Sequence, residues 1–362
     1  MNPVLREIRH NPLLWLLAFV PIVFVFAKLK PDSHTLLFVL SVLAIVPMTV
    51  LLAKATESVA AKTGDSVGGL LNATLGNLAE LVIALAALRS GQYMLVKASI
   101  AGPIVTNSLF ILGASFFIGG LKHHVQEYNR VSAHLQAAML FLATVALLIP
   151  SAISQADLTA GAAILPKLSL GLAVLLILAY GLGMLFSLKT HRELFASAKS
   201  GEDHEKPWPI GLALTTLGIV TVLIALVSEI FVESVQAAAE AFGMTPAFVG
   251  FIIVALVGGA SAMPTAFSGA RKNRLDMSVS IALGSASQIA LFVAPVLVFV
   301  SYFVGPTPMD LTFWPGAVVM LLIAALTSSL ITNSGRSAWY VGLLALMVYA
   351  IFAMTLYLLP PK

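Results

Sequence analysis

Gly68-Gly69-Leu70-Leu71-Asn72-Ala73-Thr74-Leu75-Gly76-Asn77-Leu78-Ala79-Glu80-Leu81 is the stretch on which the fold turns. It sits in an apolar run from 67 to 89, long enough to cross a bilayer, since about 20 mostly apolar residues span the hydrocarbon. Yet it holds two asparagines, a Gly-Asn pair and a carboxylate. A lipid-facing helix seldom carries such groups, because an ionisable side chain at membrane depth costs roughly 3 kcal/mol on insertion scales. The stretch reads as a membrane helix interrupted at Gly76-Asn77, with Glu80 just beyond the interruption.

The composition agrees. Of 362 residues, 59% are hydrophobic and 10% charged, against about half and a quarter in soluble proteins. So few charges cannot coat a soluble surface. Soluble enzymes, nucleic-acid binders and disordered scaffolds are set aside. The net charge of +4 reflects Lys and Arg in cytoplasmic loops rather than affinity for nucleic acid. With no cysteine there is neither a disulfide framework nor a thiolate metal site. Met1 to His10 is basic and precedes an apolar run without a small-residue cleavage site, which reads as a retained first helix.

Eleven apolar runs follow: 11–28, 35–54, 67–89, 93–119, 131–153, 165–188, 209–231, 248–270, 277–304, 312–332 and 337–359. The third and eighth are broken by Gly and small polar residues. Placing the N-terminus inside leaves fourteen Lys and Arg on the cytoplasmic side and six outside, the asymmetry expected of a membrane protein so oriented. The charged segment 189–208 divides the chain. The expected organisation is an N-terminal segment with its leading helix (1–34), five spans (35–188), a cytoplasmic linker (189–208) and five more (209–362).

Five and five points to a duplication. Glu57-Ser58-Val59 precedes the quoted motif; Glu233-Ser234-Val235 precedes Phe248-Val249-Gly250 and then Val257-Gly258-Gly259-Ala260-Ser261-Ala262-Met263-Pro264. Ala98 to Asn107 echoes Ile281 to Gln288. An odd number of spans per copy inverts one copy relative to the other. Inverted repeats with broken helices at matching places mark secondary transporters, whose site lies near the midplane at the repeat interface. The expected fold is all-α and polytopic, one leading helix plus two inverted five-helix repeats.

The motif Gly68 to Leu81 closely resembles the first repeat motif of the calcium/proton antiporters, the cation/proton exchanger branch of the cation/Ca²⁺ antiporter superfamily. Lys97 to Gly120, the loop Lys122-His123-His124-Val125-Gln126-Glu127-Tyr128-Asn129, and Ser228-Glu229 are similar to that family as well. So is Arg271-Lys272-Asn273-Arg274-Leu275-Asp276 leading into Ala282 to Phe292. The resemblance runs from about residue 45 onward. It implies exchange of Ca²⁺ for protons by alternating access, in a bacterial inner membrane, with cation and protons as substrates and the bilayer as surroundings. No resident cofactor, enzymatic activity or nucleic-acid partner is expected.

Read residue by residue, Glu80 leads as cation ligand and proton carrier. An anionic oxygen suits a hard cation, and Ca²⁺ takes six to eight oxygens, many from carbonyls; an interruption at Gly76-Asn77 frees such carbonyls. Protonating the same carboxylate would expel the cation. Against this stands a structural Glu held by Asn72, Thr74 and Asn77. Glu229 ends an apolar run beside Ser228 and is either a second charge or an interfacial residue facing water. Glu57, flanked by Lys54 and Lys62, is a gate or half of a surface ion pair. Asn72, Asn77, Asn107 and Gln288 are intramembrane amides able to bind a cation or to pair helices. The histidines fall in loops or at helix ends, and His123-His124 beside Glu127 reads either as a pH sensor or as a solvated loop.

One departure matters. The family's second motif reads Gly-Asn-Ala-Ala-Glu-His, and counting from Gly258 to Asp276 places Gly259 at the Asn, Ala262 at the Glu and Met263 at the His. The resemblance implies two facing carboxylates, and here the second is missing. Three readings follow. The site is rebuilt, with Glu229 or Glu57 supplying charge, Ser261 a hydroxyl, and the carbonyl of Ala260 left unpaired because Pro264 has no N–H. Alternatively the cation is monovalent, Na⁺ or K⁺. Or transport is lost and the chain is a sensor.

Overall fold

A computed structural model describes residues 3–63, 65–156, 158–195 and 207–358. Among these, ten helices are long and apolar enough to cross a membrane, and a bent pair makes an eleventh span. They are α1 (Pro12–Leu29), α2 (His34–Lys62), the pair α3 (Val67–Leu75) and α4 (Leu78–Arg89), α5 (Tyr93–His123), α6 (Arg130–Gln155), α7 (Ile164–Thr190), α8 (Ile210–Ala241), α9 (Pro246–Arg271), α10 (Leu275–Ser301), α11 (Pro315–Thr332) and α12 (Trp339–Leu358). The chain is an all-α polytopic membrane protein. Part of the expected linker, 196–206, lies outside the described residues.

Two helices outrun their apolar stretches by more than two turns. α2 continues eight residues past 54, and α8 continues ten past 231. An apolar run records bilayer thickness, but a helix persists wherever backbone groups stay paired. Glu57 and Glu233 therefore stand on helices rather than in loops.

The chain forms two compact units, 3–99 with 207–261 and 100–195 with 262–358, each drawing on both halves of the sequence. In the first unit α2 and α8 lie antiparallel along their lengths. Phe38 stacks on Phe231 at one end, with centroids 5.3 Å apart, and the Trp208 N–H donates to Ser58 Oγ at the other (3.3 Å). Between these ends α2 buries Ala44, Ile45 and Met48, and α8 buries Val220, Ile224 and Val227. Such close packing holds membrane helices together, because the bilayer is as apolar as the side chains.

In the second unit α5 and α12 cross at glycines. A Cβ on Gly342 would stand 2.3 Å from Phe117 N and 2.4 Å from Gly113 O, so only glycine permits this approach. Nearby lies an apolar cluster of Ile111, Leu112, Phe116, Ala266, Ala270 and Leu283, with Ala262 and Met263 packed against it. Beyond α5, β1 (Val125–Glu127) pairs antiparallel with β2 (Arg336–Ala338), Gln126 opposite Ser337.

Candidate cation site

The quoted motif breaks where expected. α3 and α4 meet at a 41° bend over Gly76-Asn77. Gly76 N–H closes the last turn of α3 on Asn72 O (2.8 Å), and Leu81 N–H opens α4 on Asn77 O (3.1 Å). Asn77 is the N-cap of α4, and Glu80 falls in its first turn. The first amides of a helix lack partners within it and carry partial positive charge, which favours an anion there. Glu80 is 6% exposed and Asn77 4%, whereas Asn72 and Gly76 are exposed.

The wall facing Glu80 comes from α9. A Cβ on Gly258 would lie 2.9 Å from Glu80 Cγ and 3.1 Å from Oε1. Bare backbone thus rests against the carboxyl group. Directly after Gly258 the helix turns over Gly259-Ala260-Ser261 and restarts at Ala262. Gly259 N–H donates to Ala255 O (2.9 Å) and Ala260 N–H to Val257 O (3.3 Å), and Pro264 has no N–H to return to Ala260 O. Ser261 is half-buried in this turn. Sequence reasoning did not assign Gly258 a role. The available signal was the Gly258-Gly259 pair heading the interruption in the second repeat.

The other acids of this unit stand elsewhere. Glu229 Oε1 accepts from Arg89 Nη1 at 2.8 Å, with the two side chains 44% and 73% exposed. One turn on, Gln92 Nε2 donates to Val232 O (2.9 Å), so both contacts tie the end of α4 to α8. Arg89 as the partner of Glu229 has no local sequence signature. Glu57 is exposed on α2. Ser228 Oγ is buried without a hydrogen-bond partner.

The two remaining amides belong to the second unit. Asn107 is buried, its Oδ1 unpartnered, and it lies where α5 widens to π-helix over Thr106–Ile111. Gln288, half-buried, precedes a matching π segment in α10, Ile289–Val293. Such turns break the i→i−4 pattern and recur at functional positions. Thr106 Oγ1 and Tyr349 Oη share a hydrogen bond of 3.2 Å. Among the described residues no three His, Cys, Asp or Glu side chains form a metal cluster.

Interrupted helices, a buried carboxylate at one break and bare backbone against it define a class: a polytopic membrane transporter. The chain belongs to the sodium/calcium exchanger protein family, whose model matches residues 33–189 and again 212–358. A Ca(2+)/H(+) antiporter of Synechocystis sp. is 38% identical over 361 residues, covering 95% of this chain and 96% of its own. The Ca(2+)/H(+) antiporter ChaA of Bacillus subtilis is 39% identical, with coverage of 92% and 95%. The solved structure of native YfkE superposes with a TM-score of 0.81 at 36% identity, covering 95% of this chain and 98% of that one.

Proposed function

We propose that this chain exchanges Ca²⁺ for protons across a membrane by alternating access, with Glu80 binding each in turn. The observation that carries the reading is Glu80 itself: a buried carboxylate in the first turn of α4, against the backbone of Gly258. As an anion it offers oxygens to the cation, and neutral oxygens near the break, among them Asn77 and Ser261, complete the shell. When protonated it no longer attracts the cation, which leaves. The relatives from Synechocystis and Bacillus, both named as Ca(2+)/H(+) antiporters, support the same reading.

Within it, the chain is a carrier and not an enzyme, needs no resident cofactor, and sits in a bacterial inner membrane with its N-terminus inside, the side favoured by the distribution of Lys and Arg. Proteoliposomes given Ca²⁺ and a pH step test it. The parent protein couples Ca²⁺ uptake to proton release. Glu80→Gln keeps shape and hydrogen bonding, removes the charge and abolishes both fluxes; parental exchange by this variant would make Glu80 structural.

A further inference from the structure

Resting on the calcium–proton reading, we propose that the exchange moves net charge: one Ca²⁺ crosses against one H⁺, and each turnover carries one positive charge in the direction of calcium. The argument is a count of buried charge. Among the described residues Glu80 is the single buried acid. Glu57, Glu233 and Glu240 are exposed, and Glu229 is half-exposed and paired with Arg89. In the second unit Asp276 accepts from the Asn129 N–H and Asp310 from the Thr312 N–H. The described histidines stand at helix ends or in loops.

What meets the Glu80 carboxyl group from α9 is the backbone of Gly258, which brings no charge. Four residues on, Ala262 is half-buried against an apolar cluster. Carbonyl, amide and hydroxyl oxygens can fill the shell of Ca²⁺ but do not neutralise it. One carboxylate therefore leaves the calcium-loaded carrier with a single uncompensated positive charge. The same carboxylate bearing a proton is neutral. The balance per cycle is two charges one way and one the other. A charge crossing the bilayer does work against the membrane potential, so calcium flux by this chain responds to voltage as well as to pH.

A null-point measurement on the full-length protein in proteoliposomes decides it. Calcium is set equal on both sides, the pH step is fixed, and the potential is imposed with K⁺ and valinomycin. With one proton per calcium, flux stops at an interior-positive potential of about 59 mV for each pH unit by which the exterior is more alkaline, the single-charge equivalent of a tenfold gradient. A pH-driven calcium flux that no potential can null means two protons per calcium and overturns the inference. A null of opposite sign means three and overturns it equally. Absence of any calcium flux in the parent protein overturns the calcium–proton reading and this inference with it.

Discussion

Glu80 could be read from the sequence because a carboxylate inside an apolar run is anomalous at any resolution of thought: its burial cost demands a reason. Glu229 looked nearly as anomalous, ending an apolar run of its own. The structure separates the two by what surrounds them. Glu80 lies against bare backbone at a helix start, while Glu229 pairs with Arg89, 140 residues earlier in the chain. No local pattern announces that partner. Gly258 was equally silent, since a glycine's role lies in what approaches it. Gly258→Ala puts a methyl group 3.1 Å from Glu80 Oε1 and turns the carboxylate aside. Overpacking of this kind costs about 1–3 kcal/mol. If it falls on cation binding, the half-saturating Ca²⁺ concentration rises on the order of tenfold, because 1.4 kcal/mol is a factor of ten. Calcium dependence of proton release measures this, and an unchanged half-saturation with parental turnover would show that the backbone contact does not set the carboxylate.

Elements were legible wherever apolar length decides them, which is why the eleven runs return, among the described residues, as ten long apolar helices and one bent pair. Helix ends and π turns were not, because both depend on how backbone groups are satisfied rather than on hydropathy. The clearest case joins two segments that the resemblance had singled out without a role. Gln126, buried in β1, donates through Nε2 to Ala270 O (2.9 Å) and Asn273 Oδ1 (3.0 Å). Lys122 Nζ (3.1 Å) and the His123 ring (3.0 Å) both reach Arg271 O. Together they cap the carbonyl end of α9, where cationic donors meet the negative end of the helix. Asn273 closes the turn with φ +58°, a conformation asparagine tolerates better than most residues. Gly119 makes room: a Cβ there would fall 1.8 Å from Gln126 Oε1. Gly119→Ala must expel the Gln126 amide and unmake its two bonds, leaving the buried Ala270 carbonyl without this donor, at a cost of roughly 1–3 kcal/mol. Thermal unfolding in detergent should show a lowered midpoint for this variant. A midpoint equal to the parent's would mean that the clasp adds nothing to stability.

At the scale of the molecule the duplication was visible in paired motifs, and the family model matches each half in turn. What the letters could not show is that each compact unit draws helices from both halves. Apolar faces of similar composition give no hint of which will pair, and the α2–α8 contact is settled by shape, as where Phe38 stacks on Phe231. Ala262 and Met263 are half-buried against an apolar cluster, so a carboxylate at 262 meets two opposed terms. Beside packed apolar side chains it is costly when unpaired. Near a bound divalent cation it gains several kcal/mol, since unit charges at about 4 Å interact by roughly 4 kcal/mol at an effective dielectric near 20. The two terms separate in a stability measurement. Ala262→Glu, alone or with Gly259→Asn and Met263→His, is expected to unfold at a lower temperature than the parent without calcium and to recover more than the parent when calcium is added. Ligand-linked stabilisation grows with affinity for the folded state, so the excess recovery reads the second charge on the cation. A variant that loses midpoint but shows only the parent's calcium response would place position 262 outside the cation's reach, and the single carboxylate of Glu80 would then define the site on its own.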